Sequence, residues 1–212
     1  MRKPSVDRRL AAGAITAFLA AAVVPHQAVA QEIAAKNPGA VRAGSYSIEP
    51  NHTQVEFSIT HFGFSNFLGM FSGASGTLEL DPAKIDRARL EVTVPIETVL
   101  TTSVPLNGLL KGEQWFNAPK FPTATFVSTK VTPSADDAAT IAGNLTLHGV
   151  TKPVTLEAKL VGSGINPLDK AYTVGFDGVV KIKRSDFGLD QYVVFFSDNV
   201  DLRITAAFVL KP

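Results

Sequence analysis

The chain has 212 residues, of which 45% are hydrophobic and 18% are charged; this composition is typical of a folded globular domain and excludes a disordered chain. Its formal net charge is +1, and it contains no cysteine. A disulfide framework, a cysteine-ligated metal centre and a lipid-modified cysteine are therefore excluded.

The first thirty residues have the pattern of a cleavable secretory signal. Basic residues at positions 2, 3, 8 and 9 precede an apolar run over residues 10–24, and Ala28-Val29-Ala30 has the small-x-small form of a signal-peptidase site. We predict that residues 1–30 are a signal peptide and that the mature protein is periplasmic; a buried N-terminal helix is the alternative. Without this segment the chain has 16 basic and 18 acidic side chains, which predicts no nucleic-acid surface.

Strand-like alternation of apolar and polar residues dominates the rest of the chain. Residues 31–44 are rich in Ala and Gly, lack periodicity and are predicted to be a flexible lead-in. Beyond them, clear alternation over several residues predicts strands with one apolar face. These strands are predicted at 55–61, 87–94, 154–160, 172–182 and 200–210, and weaker ones at 69–80, 123–131 and 138–147.

One segment, residues 104–116, breaks the two-residue alternation. Apolar residues there recur at a helical spacing, which predicts a short helical insertion with one apolar face. That face consists of Leu106, Leu109, Leu110, Trp115 and Phe116.

Eight such strands can pair as a sandwich or close as a barrel, and closure leaves no unpaired edge. We therefore predict an all-β fold over residues 45–212, an eight-stranded antiparallel lipocalin-like barrel with a short helical insertion. Strands of roughly 11 residues at about 3.3 Å each, tilted by about 40°, would make it on the order of 28 Å deep. A barrel of this size is either filled by its own side chains or holds one small ligand.

The distribution of bulky residues bears on that choice. Many inward positions are Val, Ala or Gly, whereas phenylalanines cluster in residues 57–71 and again at Phe187, Phe195 and Phe196. This unevenness favours a lined cavity, although a packed core with alternating large and small layers would give the same pattern. Phe64, Phe67, Leu68 and Met70 are predicted to form an apolar rim around an irregular turn.

The polar residues give no catalytic or metal signature. The chain has no G-x-S-x-G nucleophile elbow, and His52, His61 and His148 are widely spaced. We predict no catalytic residue, no metal and no cofactor. His61 ends the inward face of a strand, so it either binds a ligand head group or is a core histidine bonded to the protein itself.

Four blocks resemble, in the same order, segments of the YceI family, which are lipocalin-like exported proteins known as polyisoprenoid-binding. The blocks are residues 52–71, 109–126, 143–160 and 182–189, and the resemblance covers residues 46–210. It implies a barrel with a helical insertion, an interior that holds a polyprenyl lipid or quinone tail, and no catalytic residues. Many relatives carry charged residues where this chain has the uncharged segment 102–107, which implies a different preference at the ligand's polar end.

These observations predict a periplasmic protein that binds a long-chain isoprenoid for storage, shielding or transport. Transient contact with a membrane and formation of a homodimer are compatible with this prediction. An enzyme that acts on a hydrophobic substrate through His61 and a solid-core stress-protective interaction module are the alternatives. The predicted ligand-binding residues are those expected to face inward or to lie at the rim: Phe57, Ile59, His61, Phe64, Phe67, Met70, Leu90, Val92, Leu106, Leu109, Leu110, Trp115, Phe116, Phe126, Leu145, Phe176, Val180 and Phe187.

Overall fold

The computed structural model describes residues 33–212, so the predicted signal peptide lies outside the described residues. Within 33–212 the chain forms eleven strands and one α-helix, joined by turns and short 3-10 helices. No helix in this range is long and apolar enough to cross a membrane. The strands are β1 (Gly44–Ile48), β2 (Gln54–His61), β3 (Ser65–Phe71), β4 (Ser75–Leu80), β5 (Arg89–Pro95), β6 (Leu100–Thr101), β7 (Thr123–Ala135), β8 (Ala138–Leu147), β9 (Val150–Ile165), β10 (Tyr172–Lys183) and β11 (Asn199–Leu210), and the helix is α1 (Val104–Lys111).

Eight of these strands close into a ring. The order is β1, β4, β5, β7, β8, β9, β10 and β11, and β11 returns to β1 through the pair Tyr46 and Leu210. Every neighbouring pair is antiparallel. The predicted eight-stranded antiparallel barrel is therefore confirmed, and the closed ladder pairs the backbone groups that a sandwich would leave at its edges.

The three remaining strands continue the wall at one end. β11 pairs with β1 through its last residues and with β2 through residues 201–205, and β2 then pairs with β3 and β3 with β6. Where the chain passes from β1 to β2, the Thr53 hydroxyl accepts a hydrogen bond from the Ala207 amide at 3.1 Å and so replaces a missing ladder bond.

The sequence prediction missed β1 because the turn at Pro50–His52 interrupts the alternation after only five residues.

Several predicted boundaries differ from the structure. The predicted strand 69–80 is divided into β3 and β4, because the chain leaves the ladder at residues 72–74. The helix ends at Lys111, short of the predicted residue 116, because Gly112 adopts an extended conformation. β9 is longer than the predicted 154–160 and reaches Ile165, with a bulge opposite Gly175 and Phe176 that breaks the alternation there. Bulges shift one face of a strand by a residue, which is why periodicity alone did not follow this strand to its end.

The part of the predicted lead-in that the structure describes, residues 33–44, contacts the barrel. Ala35 and Ser163 exchange two backbone hydrogen bonds of 3.0 Å, and Lys36 Nζ lies 2.8 Å from a carboxylate oxygen of Asp137. The Val41 side chain is buried in the core. These contacts are more extensive than a flexible lead-in predicts.

The barrel has two distinct ends. At the α1 end lie helix α1, the β2–β3 turn and residues 184–198. The opposite end carries the 3-10 helix Pro82–Arg87 and the β7–β8 and β9–β10 turns.

Alkaline pH is expected to destabilise the fold through Tyr46, which is fully buried and donates its hydroxyl to the Arg42 carbonyl. Burial, assisted by Tyr172, raises the pKa of Tyr46 to about 12. A raised pKa favours the neutral form in the fold, so its contribution is complete below pH 10 and is lost as the pH rises towards 12. Urea unfolding at pH 8 to 12 should show this loss in the wild type and a flatter profile for Tyr46→Phe, whereas Tyr192→Phe, at an exposed position, should keep the wild-type profile.

Candidate functional site

The middle of the barrel is hollow. Buried apolar residues form two separate clusters, one towards each end. Val94, Leu156 and Ile204 pack against both clusters but stay only half-buried. Because these side chains face inward in a closed ring, the surface that they leave uncovered faces the interior rather than the outside.

This interior is one cavity of about 410 Å³, within the range of about 300–1,000 Å³ that small-molecule sites occupy. Its wall is apolar along nearly the whole barrel axis. Eleven of the predicted ligand-binding residues line it: Phe57, Ile59, Leu90, Val92, Leu110, Trp115, Phe116, Phe126, Leu145, Phe176 and Val180. Their contact with a ligand stays a prediction.

Small residues make room at one level of the wall. Ala158 on β9 lies opposite Ala139 on β8 and opposite Gly178 on β10. All three line the cavity. Three neighbouring strands thus contribute at most a methyl group each at this level, and larger side chains here would fill the space.

The phenylalanines line the wall instead of filling the middle. A Cβ atom added to Gly69 would lie 2.2 Å from Cζ of Phe57, its cross-strand partner, and one added to Gly143 would lie 2.4 Å from Cζ of Phe126. The outer edge of each ring therefore occupies the space over a glycine of a neighbouring strand. Glycine at these two positions lets a bulky side chain cover the wall without crossing the cavity.

Replacing Gly69 by alanine is expected to displace the Phe57 ring, because the new methyl group would occupy the ring's position. We expect a loss of about 1–3 kcal/mol in the free energy of unfolding, the usual range for overpacking, together with weaker ligand retention. Urea unfolding measures the first effect. The matched control is Gly108→Ala in α1, where nothing lies within 4 Å of the new Cβ and the change should stabilise by about 0.5–1 kcal/mol. Equal effects of the two substitutions would contradict this description of the wall.

Seven of the predicted ligand-binding residues do not line the cavity: His61, Phe64, Phe67, Met70, Leu106, Leu109 and Phe187. His61 stacks on Phe196 with ring centroids 5.0 Å apart, at the α1 end. Met70 lies opposite Glu56, so the pairing register places it on the outer face of the barrel. Phe64 is 89% exposed at the tip of the β2–β3 turn.

The other four lie outside the cavity lining for related reasons. Leu109 is exposed on α1, and Leu106 packs partly against the core. Phe67 faces the same side as Ile59 but lies near the His61 ring, beyond the cavity. Phe187 is fully buried in a 3-10 helix at Arg184–Phe187 and belongs to the core itself. Inward alternation identifies a face, but it does not reveal where along the strand the cavity ends.

The sequence prediction also missed cavity residues. Some lie on predicted apolar faces, such as Val55, Val94 and Ile204, and alternation could have identified them. Others close the opposite end from irregular segments: Pro38, Val41, Pro82 and Ile85. No periodic signal marks these four, because they lie outside the strands.

Few polar side chains reach the cavity. At the α1 end the Arg184 guanidinium donates to the carbonyls of Leu189, Gln191, Phe196 and Ser197 at 2.6–3.0 Å. Burial lowers the pKa of Arg184 from its usual value.

At the opposite end Asp136 and Asp137 line the cavity. The hydrogen bond from Lys36 lowers the pKa of Asp137. Within residues 33–212, no cluster of three or more His, Asp or Glu side chains is placed to hold a metal ion.

Comparison with known proteins gives consistent matches. The model of the YceI-like domain matches residues 46–208. A UPF0312 protein of Pseudomonas fluorescens is 39% identical over 174 residues, which are 79% of this chain and 87% of that protein. Protein YceI of Salmonella arizonae is 38% identical over 169 residues, again 79% of this chain and 87% of that protein.

Solved structures share the fold. The YCEI protein of Campylobacter jejuni matches with a TM-score of 0.65 at 30% identity and covers 72% of this chain and 90% of that one. A polyisoprenoid binding domain of Saccharophagus degradans matches with a TM-score of 0.61 over 80% of this chain and the whole of that domain. Its identity is 13%, so this likeness concerns the fold alone.

Proposed function

Because this chain belongs to the YceI-like family, we propose that its barrel binds one long isoprenoid chain, a polyprenyl lipid or a quinone tail, and stores, shields or carries it in the periplasm. The observation that carries the proposal is the apolar cavity of about 410 Å³ between two core clusters. A barrel with a packed middle would have no place for such a chain. The same fold occurs in the polyisoprenoid binding domain of Saccharophagus degradans.

The energetics suit a carrier. Burial of one five-carbon isoprene unit from water gains about 4 kcal/mol, at about 0.8 kcal/mol per carbon. A bilayer solvates the same chain nearly as well, so the transfer between bilayer and barrel is close to balanced. Loading and release of the ligand therefore involve only a small difference in free energy.

Binding rather than catalysis is the function that the geometry favours. The candidate catalytic residue of the enzyme alternative, His61, lies outside the cavity lining and stacks on Phe196. Two of the polar groups that reach the cavity, Arg184 and Asp137, are bonded to the protein. A binding site with an apolar wall needs none of these groups to react.

Mass spectrometry of the purified protein tests the proposal. The protein is isolated from a periplasmic extract of its natural host, and the bound molecules are released by denaturation and extracted into solvent. We expect about one isoprenoid chain per protein and a mature N-terminus at Gln31. Preparations that repeatedly contain no isoprenoid would overturn the ligand class, and recovery of the protein only from the cytoplasm would overturn the location.

A further inference from the structure

We propose that the α1 end of the barrel docks on the surface of a lipid bilayer, with the tips of three uncharged segments inserted among the lipids. The three segments are the β2–β3 turn (residues 62–64), the stretch from β6 to the start of α1 (residues 100–104) and the 191–197 loop, and together they form the docking face. This inference rests on the proposed function, because a ligand can pass between a membrane and the cavity only if one end of the barrel contacts that membrane. The inference identifies the end of the barrel at which this exchange takes place.

Exposed apolar side chains concentrate on the docking face. Phe64 is 89% exposed, Val194 is 88% exposed and Val104 is 80% exposed, one on each of the three segments. Further exposed apolar residues surround these tips: Phe62, Leu68, Leu100, Leu109, Tyr192, Val193 and Phe195. Soluble proteins rarely leave such a set of large apolar side chains together in water unless the surface has a partner.

The three segments lie side by side. The Phe62 amide donates to the Phe195 carbonyl at 2.9 Å, which joins the β2–β3 turn to the 191–197 loop. Trp115, just beyond α1, stacks on Tyr192 with ring centroids 6.3 Å apart. β6 pairs with β3 through Leu100 and Met70. The exposed tips therefore belong to one continuous surface and not to separate loops.

The absence of charged residues on the docking face favours a lipid bilayer as its partner. No Asp, Glu, Lys or Arg occurs in residues 57–78, 99–110 or 191–197, the stretches that supply the docking face. A protein partner or a nucleic acid is usually recognised with some charged contacts at the rim, whereas the apolar layer of a bilayer excludes charge and accepts Phe, Val and Leu. Tyr and Trp are favoured at the level of the head groups, and Tyr192 and Trp115 lie behind the tips.

The docking face is continuous with the cavity. Trp115, Leu110 and Ile59 line the cavity at the α1 end and belong to or adjoin the same three segments. Two bulky residues of the face, Phe62 and Tyr192, are held in the left-handed backbone conformation, with φ of 52° and 57°. Such strain in aromatic residues is typical of segments retained for function rather than for stability.

Vesicle flotation tests the proposal. The probe is a vesicle of phosphatidylethanolamine and phosphatidylglycerol in a three-to-one ratio, mixed with the mature wild-type protein. We expect wild-type protein to float with the vesicles and Phe64→Asp/Val194→Asp to float at least about tenfold less, since two apolar contacts are replaced by charges. The matched control is Leu168→Asp, a 90% exposed residue at the opposite end, which should float like the wild type.

A site-specific dye shows which end meets the lipid. Because the chain has no cysteine, Ser65→Cys beside the Phe64 tip and Ser134→Cys near the opposite end each provide one attachment point. An environment-sensitive dye should shift to the blue on vesicle addition at residue 65 and not at residue 134. A shift at residue 134 alone, or no difference in flotation between wild type and the double variant, would overturn the proposal.

Two further outcomes are informative. Suppose that the wild type is a dimer in solution, that neither protein floats with the vesicles and that the double variant is a monomer. The docking face is then a dimer interface, and the bilayer proposal is wrong.

Ligand binding in the absence of vesicles is measured in parallel. Failure to float with intact ligand binding overturns only the docking proposal, whereas flotation with no ligand binding overturns the proposed function and leaves the docking face in place.

Discussion

Replacement of both Ala139 and Ala158 by phenylalanine is expected to reduce binding of an isoprenoid chain at least about tenfold. The two rings would fill the cavity at the level where its wall has only small side chains. The two residues are cross-strand partners that face the interior, and the strand next to them contributes Gly178 at the same level. Equilibrium binding of a labelled polyprenol measures the effect.

The stability of this double variant is equally informative. In a packed core, extra methylene groups cost about 1–3 kcal/mol and often more for two large substitutions. In a hollow barrel the rings enter free space, so we expect the free energy of unfolding to change by less than about 1 kcal/mol. The matched control is Val161→Phe/Val179→Phe, two exposed positions on the outer face of β9 and β10, which should leave binding unchanged. Strong destabilisation of the Ala139/Ala158 variant with unchanged binding would contradict the hollow interior.

Replacement of Arg184 by methionine is expected to destabilise the protein by about 3 kcal/mol, because buried acceptors left without a donor cost about 1–3 kcal/mol each and hydration of the loop recovers part of that loss. Methionine keeps much of the length of the side chain and removes its donors. Arg184 donates to four carbonyls between Leu189 and Ser197, so its loss should release the 191–197 loop.

Urea unfolding and limited proteolysis measure the two parts of this prediction. The midpoint of unfolding should fall, and cleavage within 189–198 should become faster than elsewhere in the barrel. Arg203→Met, at an exposed position of β11, is the control and should change the free energy of unfolding by less than about 0.5 kcal/mol. If both arginine variants behave alike, the hydrogen bonds of Arg184 do not hold this loop.

The barrel could be predicted from the sequence because its strands have one apolar face. The alternation predicted at 172–182 and 200–210 is present in β10 and β11, and the neighbouring strands of the ring are antiparallel as predicted. The predicted strand 55–61 is β2, which pairs with β11 outside the ring. β1 was missed, since five residues before a turn give too little alternation to recognise. The bulge at Gly175 and Phe176 likewise ended the signal in β9 before the strand itself ended.

The site was less predictable than the fold. Residues in the middle of long strands, such as Phe57, Phe126 and Val180, do line the cavity. Residues near the α1 end, such as His61 and Phe64, lie outside the cavity lining, because alternation does not reveal where along a strand the cavity ends. The glycines that hold the phenyl rings against the wall are cross-strand neighbours, a relation that no local pattern reveals.

The single tryptophan of the chain allows the most direct test of a cavity that holds a long apolar chain. Trp115 lines the cavity, and a polyprenol that carries bromine along its length quenches any indole that it contacts, whichever way the chain enters. We predict saturable quenching of Trp115 with an end point near one chain per protein, and its loss in the Ala139→Phe/Ala158→Phe variant. Quenching no greater than that of free indole, or quenching of equal strength in the filled variant, would contradict the account.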